Sequence, residues 1–127
     1  MPRKIINSSD APQPIGPYSQ AVAYNDLLFV SGQIAIDAQS GELVKGNVAT
    51  QTHQVIMNIA SVLKAAGAGL DSVLKTTIYL KNLNDFNQVN EIYADYFVNS
   101  LPARSTVEVS RLPKDVLVEI DCIAYIK

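Results

Sequence analysis

The run from Val116 to Ile126 constrains this chain more than any other segment. Read with a period of two, Val116, Val118, Ile120, Cys122, Ala124 and Ile126 share one side of a strand. Leu117, Glu119, Asp121, Ile123 and Tyr125 share the other. The first side is wholly apolar and must be covered by packed structure, whereas the second is mixed rather than polar. Such a strand belongs in a sheet with helices on one face and a partly apolar open face on the other. A partly apolar open face marks an interface, so a homo-oligomer follows, most simply a cyclic one.

The rest of the chain supplies the layers. Ser8 to Pro17, rich in Pro, Ser and Gly, reads as an ordered loop, and Ser19 to Ala23 as a short strand. Leu27 to Val30 is a buried strand ending in Ser31-Gly32-Gln33, with a further short strand expected after Gln33. Turn chemistry spans Asp37 to Glu42. Asn47 caps a helix that runs to about Ala66, with Gly67 beyond its end and Val48, Val55, Ile56, Ile59, Val62 and Leu63 along one stripe. Val73 to Leu80 is β-branched and aromatic, as strands are. Asn84 is expected to cap a second helix whose inner face carries Phe86, Val89, Tyr93, Tyr96 and Phe97. Ser105 to Val109 and the Val116 to Ile126 run complete the order, separated by a turn at Leu112-Pro113-Lys114-Asp115. The class is α+β: one domain over residues 1–127, with a mixed sheet of about six strands and two helices on one face.

Composition disfavours several functions. The formal net charge is −2 and the basic residues are scattered, so no nucleic-acid footprint exists and no nucleic-acid partner is expected. One His and one Cys cannot make a Cys/His zinc site within a chain, and Cys122 inside an apolar strand is a small hydrophobe. No stretch has the length of a membrane span and the N-terminus lacks an apolar signal core, so a cytoplasmic, metal-free protein without membrane contact is expected.

Arg104 opens the strand after Pro102-Ala103, and Glu119 lies within the strand read as its neighbour. A guanidinium there can hold a carboxylate with parallel hydrogen bonds, and a carboxylate can position a water for attack. The same residues also suit a structural ion pair, and Glu119 could equally pair with Lys75 or Arg111. Glu108 reads as solvated, and His53, off the helix stripe, carries no role.

Several patterns occur together and in order. They are Gly16-Pro17-Tyr18-Ser19-Gln20-Ala21, Phe29-Val30-Ser31-Gly32-Gln33, Lys75-Thr76-Thr77, and Asn84-Asp85-Phe86 with Val89-Asn90. Pro102-Ala103-Arg104-Ser105-Thr106-Val107-Glu108-Val109, Leu112-Pro113-Lys114-Asp115 and Val118-Glu119-Ile120 follow. From about Ile15 to Ile126 the chain resembles the Rid (YjgF-type) family of reactive intermediate deaminases. The resemblance implies a chorismate-mutase-like fold and a homotrimer with active sites in clefts between subunits. It implies hydrolysis of 2-imino acids, such as 2-iminobutanoate and 2-iminopropanoate, to 2-oxo acids and ammonia, without cofactor or metal. Pyridoxal-phosphate enzymes that dehydrate serine or threonine would release such imines. By the same resemblance Arg104 binds the substrate carboxylate and Glu119 holds the attacking water. Tyr18, Ser31, Gly32 and Asn90 line the cleft, with Thr106 beside Arg104.

Each cleft position also has a structural reading. Tyr18 could pack at a strand start, Ser31-Gly32 could be a bulge, and Asn90 could be an exposed helix residue. A non-catalytic trimer that binds small carboxylates is the alternative function. The chain departs from many relatives at Thr106, where they carry Cys. Its path Val98-Asn99-Ser100-Leu101 into Arg104 is also shorter than in some of them.

Overall fold

A computed structural model describes residues 2–127. The elements are β1 (Lys4–Ile6), β2 (Ala21–Tyr24), β3 (Leu27–Gln33), α1 (Val48–Ala65), β4 (Val73–Leu80), α2 (Phe86–Phe97), β5 (Ala103–Glu108) and β6 (Val118–Tyr125). The six strands form one mixed sheet in the order β1-β2-β3-β6-β4-β5. Among the described residues only β4 and β5 pair in parallel.

This order places both helices. Strands β3 and β4 both run antiparallel to β6, so α1 connects parallel strands across β6 and α2 connects β4 to β5. Both crossovers move the same way across the sheet, and crossovers of one hand then leave their helices on one face. Asn47 Oδ1 accepts the Thr50 N–H at 3.0 Å and starts α1. Gly67, at φ +77°, ends it: its N–H reaches the Lys64 carbonyl and that of Ala68 reaches Leu63. Val55, Ile56, Ile59, Val62 and Leu63 of α1 are fully buried in one cluster with Leu28, Ile78, Val118, Ile120 and Ala124. Each such Val, Leu or Ile side chain stabilises the fold by about 1.5–3 kcal/mol.

Three local expectations differ from the structure. The segment after Gln33 forms no strand, only a bridge between Ile36 and Leu43, and the sixth strand is instead β1 near the N-terminus. Asn58 holds that segment, donating Nδ2 hydrogen bonds to the Ile34 and Ile36 carbonyls. Asn84 is not the cap of α2. Asn82 accepts the Asn84 N–H and opens a short 3-10 turn, Leu83–Asp85, that runs into the helix. Glu108 is not merely solvated, because Oε1 accepts the Leu83 N–H at 2.8 Å and ties that turn to β5.

The face opposite the helices is uncovered. Ile5, Tyr24, Leu27, Phe29, Val107 and Tyr125 lie exposed on it. No helix among the described residues is long and apolar enough to cross a membrane.

Candidate functional site

On the open face, the β3–β6 register shifts between Val30 and Gln33, so Ser31 and Gly32 together oppose Asp121. This is a β-bulge, which re-aims the chain at the point where Glu119 arrives from β6. Gly32 needs its missing side chain for space rather than for backbone freedom. A Cβ there would stand 2.9 Å from the Glu119 Cδ and closer still to Oε2. The carboxylate lies across the glycine and lines a cavity of about 90 Å³ with Ile15, Tyr18, Gln33 and Pro113. That volume has room for several waters. Gln20, almost fully buried, fixes the far wall: Oε1 accepts the Ser8 N–H at 2.6 Å, and Nε2 donates to the carbonyls of Ser8 and Pro12.

Glu119 is half-buried and has no hydrogen-bond or ion-pair partner among the described residues. Burial, and then the nearby Asp121 carboxylate, push its pKa above the usual carboxylate range. Asp121 accepts the Tyr79 hydroxyl at 3.1 Å. A half-buried carboxylate of raised basicity, unpaired among the described residues and facing a small cavity, has what a general base needs.

Arg104 sits on the other face. Its register partner on β4 is Thr76, which also pairs with Cys122, while Glu119 pairs with Tyr79. Thr76 and Tyr79 are an odd number of residues apart and therefore point to opposite sides of the sheet. Arg104 lies against α2: Nη1 donates to Asn90 Oδ1 at 2.8 Å, and Cζ stands 4.9 Å from the centroid of the Tyr93 ring and 5.4 Å from that of Phe86. No protein acceptor among the described residues takes Nε or Nη2, which is the edge that grips a carboxylate with two parallel bonds. Thr106, two residues along β5, lines the adjoining groove with Phe86, and its buried Oγ1 has no partner among the described residues.

The sequence-predicted residues thus fall into two groups. Tyr18, Gly32 and Glu119 share the open-face cavity, with Ser31 in the bulge beside it. The register shift makes the Ser-Gly bulge real, and the Ser31 hydroxyl is already donated to the Ser19 carbonyl ahead of β2 at 2.6 Å. Asn90, Arg104 and Thr106 share the α2–β5 seam. The expectation that Arg104 and Glu119 lie on neighbouring strands is overturned, because β4 separates β5 from β6. The ion-pair readings fail as well: Arg104 bonds Asn90, Arg111 pairs with Asp115, and Glu119 meets neither Lys75 nor Arg111. Phe86 and Tyr93, which the sequence pattern assigns to the core alone, also flank the guanidinium. Asn90 standing among aromatics at spacings of four and three was the available signal. His53 Nδ1 lies 2.9 Å from the Tyr96 hydroxyl on the exposed surface of the helices. Burial, with help from Asp121, pushes the Cys122 thiol up to about 12, which makes it inert.

Residues 8–126 match the family model described as Endoribonuclease L-PSP. The chain is 56% identical, over 97% of its length, to a RutC family protein of Pyrococcus horikoshii, covering 98% of that protein. It is 48% identical, over 96% of its length, to the 2-iminobutanoate/2-iminopropanoate deaminase of Mus musculus, covering 90% of it. A crystal structure from Yersinia pestis, described as a protein of unknown function of the conserved Rid family, matches with a TM-score of 0.96 at 51% identity. That match covers 98% of this chain and 100% of the other.

Proposed function

Because this chain belongs to the endoribonuclease L-PSP family, also called the Rid or YjgF family, we propose that it hydrolyses small reactive 2-imino acids to 2-oxo acids and ammonia. The observation that carries this reading is the division of its chemistry between the two faces of one sheet. Among the described residues, a guanidinium with a free bidentate edge stands on one side, and an unpaired basic carboxylate beside a small cavity on the other. Within one chain they cannot act on one small molecule. Between copies they can, when the α2–β5 seam of one subunit closes on the open face of the next, and a closed ring of three is the assembly proposed. The exposed apolar groups of the open face favour such a contact.

In the completed cleft Arg104 takes the substrate carboxylate and fixes the imine carbon. Glu119 of the adjacent copy orients a water and accepts its proton as the oxygen adds to the carbon of the protonated imine. The C=N electron pair moves to nitrogen and gives a carbinolamine. Glu119 then returns the proton to nitrogen, the C–N bond breaks, and ammonia leaves as the hydroxyl proton passes to solvent water and the carbonyl forms. The carboxylate thus serves once as base and once as acid. Arg104 supplies a charge that does not titrate at working pH. A nuclease reading draws no support from a chain of net charge −2 with a single His.

The test is competition for a generated imine. A threonine dehydratase supplies 2-iminobutanoate, semicarbazide traps it, and added protein must hydrolyse it before the trap does. Wild type is expected to compete and Arg104→Ala to lose the competition while remaining folded. If neither competes while both remain folded, and wild type binds small carboxylates but Arg104→Ala does not, the chain is a binding module instead.

A further inference from the structure

Arg104 is held by more than its own strand. Its side chain is long and flexible, yet α2 confines it through one stripe of residues at spacings of four and three: Phe86, Asn90 and Tyr93. Tyr93 is in turn held from two further sides. Its ring lies 4.4 Å from that of Phe97 at 31°, and its hydroxyl is 2.7 Å from Thr76 Oγ1. Thr76 is wholly buried and is also the register partner of Arg104 on β4. The contacts therefore close a circuit: Thr76 fixes the Arg104 backbone across the sheet, and the Tyr93 ring from beneath. Packing alone does not call for this polarity, since Phe and Val would fill the same space without a pair of hydroxyls to satisfy in a dry core.

We propose that Tyr93 and Thr76 are positioning residues for Arg104, their hydroxyl pair setting the ring that carries the guanidinium so that its Nε–Nη2 edge stays turned outward for a carboxylate. The inference rests on the carboxylate-anchoring role proposed for Arg104. Burial raises the Tyr93 phenol above its ordinary pKa, against smaller lowering by the Thr76 bond and by Arg104, so the hydroxyl stays protonated at working pH. The ligand recognised is any small planar 2-oxo or 2-imino carboxylate, and the pair acts on its binding rather than on the proton transfers at Glu119.

Tyr93→Phe, Thr76→Val and the double variant test this, alongside Arg104→Ala. The readouts are Kd for 2-oxobutanoate by calorimetry, KM and kcat in imine clearance, and Tm. Each single variant leaves one buried hydroxyl unpaired and is expected to lower Tm and to weaken binding about 3- to 10-fold with kcat little changed. The double variant, with both hydroxyls gone, is expected to regain Tm but not affinity. If affinity returns together with Tm, or if Tyr93→Phe binds like wild type, the pair is structural and the proposal is overturned. Should a single variant fail to fold, the double variant decides between the two outcomes, because it keeps the packing without the hydroxyls. Wild type that neither binds 2-oxobutanoate nor clears the imine overturns the anchoring role of Arg104 and this inference with it. Binding that Arg104→Ala abolishes but the Tyr93 and Thr76 variants leave intact overturns this inference alone.

Discussion

Gly32→Ala separates a glycine kept for a bulge from a glycine kept for a carboxylate. The backbone there is outside the left-handed region, so alanine adds no conformational strain, and restriction of the unfolded chain offsets part of any loss. The whole effect falls on Glu119. The new Cβ would lie 2.9 Å from Cδ, where ordinary contact begins near 3.4 Å, so the carboxyl carbon must retreat by about half an ångström and Oε2 by more. The colliding atoms are the far end of a flexible side chain rather than backbone, so the retreat is structurally cheap. Catalysis is more sensitive, since misplacement by about 1 Å costs on the order of 100-fold. A loss of about 10- to 100-fold in kcat/KM is expected, with Tm within a few degrees of wild type. Imine clearance and thermal unfolding on the same preparation measure both. Wild-type kcat/KM in Gly32→Ala, or an activity loss that tracks a loss of fold or assembly, would refute the reasoning.

The same geometry sets four further outcomes. Glu119 has a folded-state pKa above the ordinary 4.5, so its charge costs stability once the pH exceeds that value, and the cost is fully present above the folded pKa. Glu119→Gln should therefore match or exceed wild-type Tm at pH 7 and lose that advantage as the pH falls toward 4.5, while clearance collapses; a Tm below wild type at pH 7 would contradict this. Asp121→Asn removes the second cause of that shift, so the acid limb of kcat/KM should move to lower pH, and an unmoved limb would show that Glu119 does not set it. Gln20→Leu leaves the buried Ser8 N–H without its partner, while the Ser8 carbonyl keeps Gln13 Nε2, and chemical denaturation should show a loss of about 1–3 kcal/mol; an unchanged midpoint would mean the Ser8–Pro12 wall stands without the amide. Mixing Arg104→Ala with Glu119→Gln chains by unfolding and refolding at equal ratio should restore about one quarter of wild-type sites, as expected when each cleft draws one residue from each of two copies. Recovery of none would place both residues in a single chain's site.

Much of the fold is readable because its signals are local. The stripe of α1, the Asn47 cap, Gly67 and the two sides of β6 each follow from residues within a few positions of one another. Strand β1 escapes such a reading because Lys4-Ile5-Ile6 is too short to show a period, and only pairing with Ala21, Val22 and Ala23 makes it a strand. The seating of Arg104 and Glu119 on opposite faces is not legible either. Strands consecutive in sequence usually lie side by side, so β5 and β6 read as neighbours, but β6 inserts between β3 and β4. Phe86 and Tyr93 illustrate a further limit. A hydrophobic stripe looks the same whether its outer rings meet other apolar groups or lie against a guanidinium.

The register explains how one sheet face can serve both contact and chemistry. Leu27 stands beside Tyr24 and Tyr125, and the next row joins Ile5, Val22, Phe29 and Ile123 before reaching Lys75 on β4. Beyond it the composition changes: Thr77 lies between Asp121 and Ser105, and Tyr79 between Glu119 and Val107. The change occurs at the bulge, where Ser31 and Gly32 oppose Asp121. One end of the face can therefore be dried by another copy at little cost, because it holds few polar groups to desolvate. The other end keeps Glu119 beside a cavity, half-buried and unpaired among the described residues, in a setting that a closing neighbour would dry further. A carboxylate left alone there would become still harder to ionise, whereas a guanidinium arriving on that neighbour would draw its pKa back down. In the proposed assembly, the contact that excludes water from the cleft also delivers the charge that keeps Glu119 usable as a base.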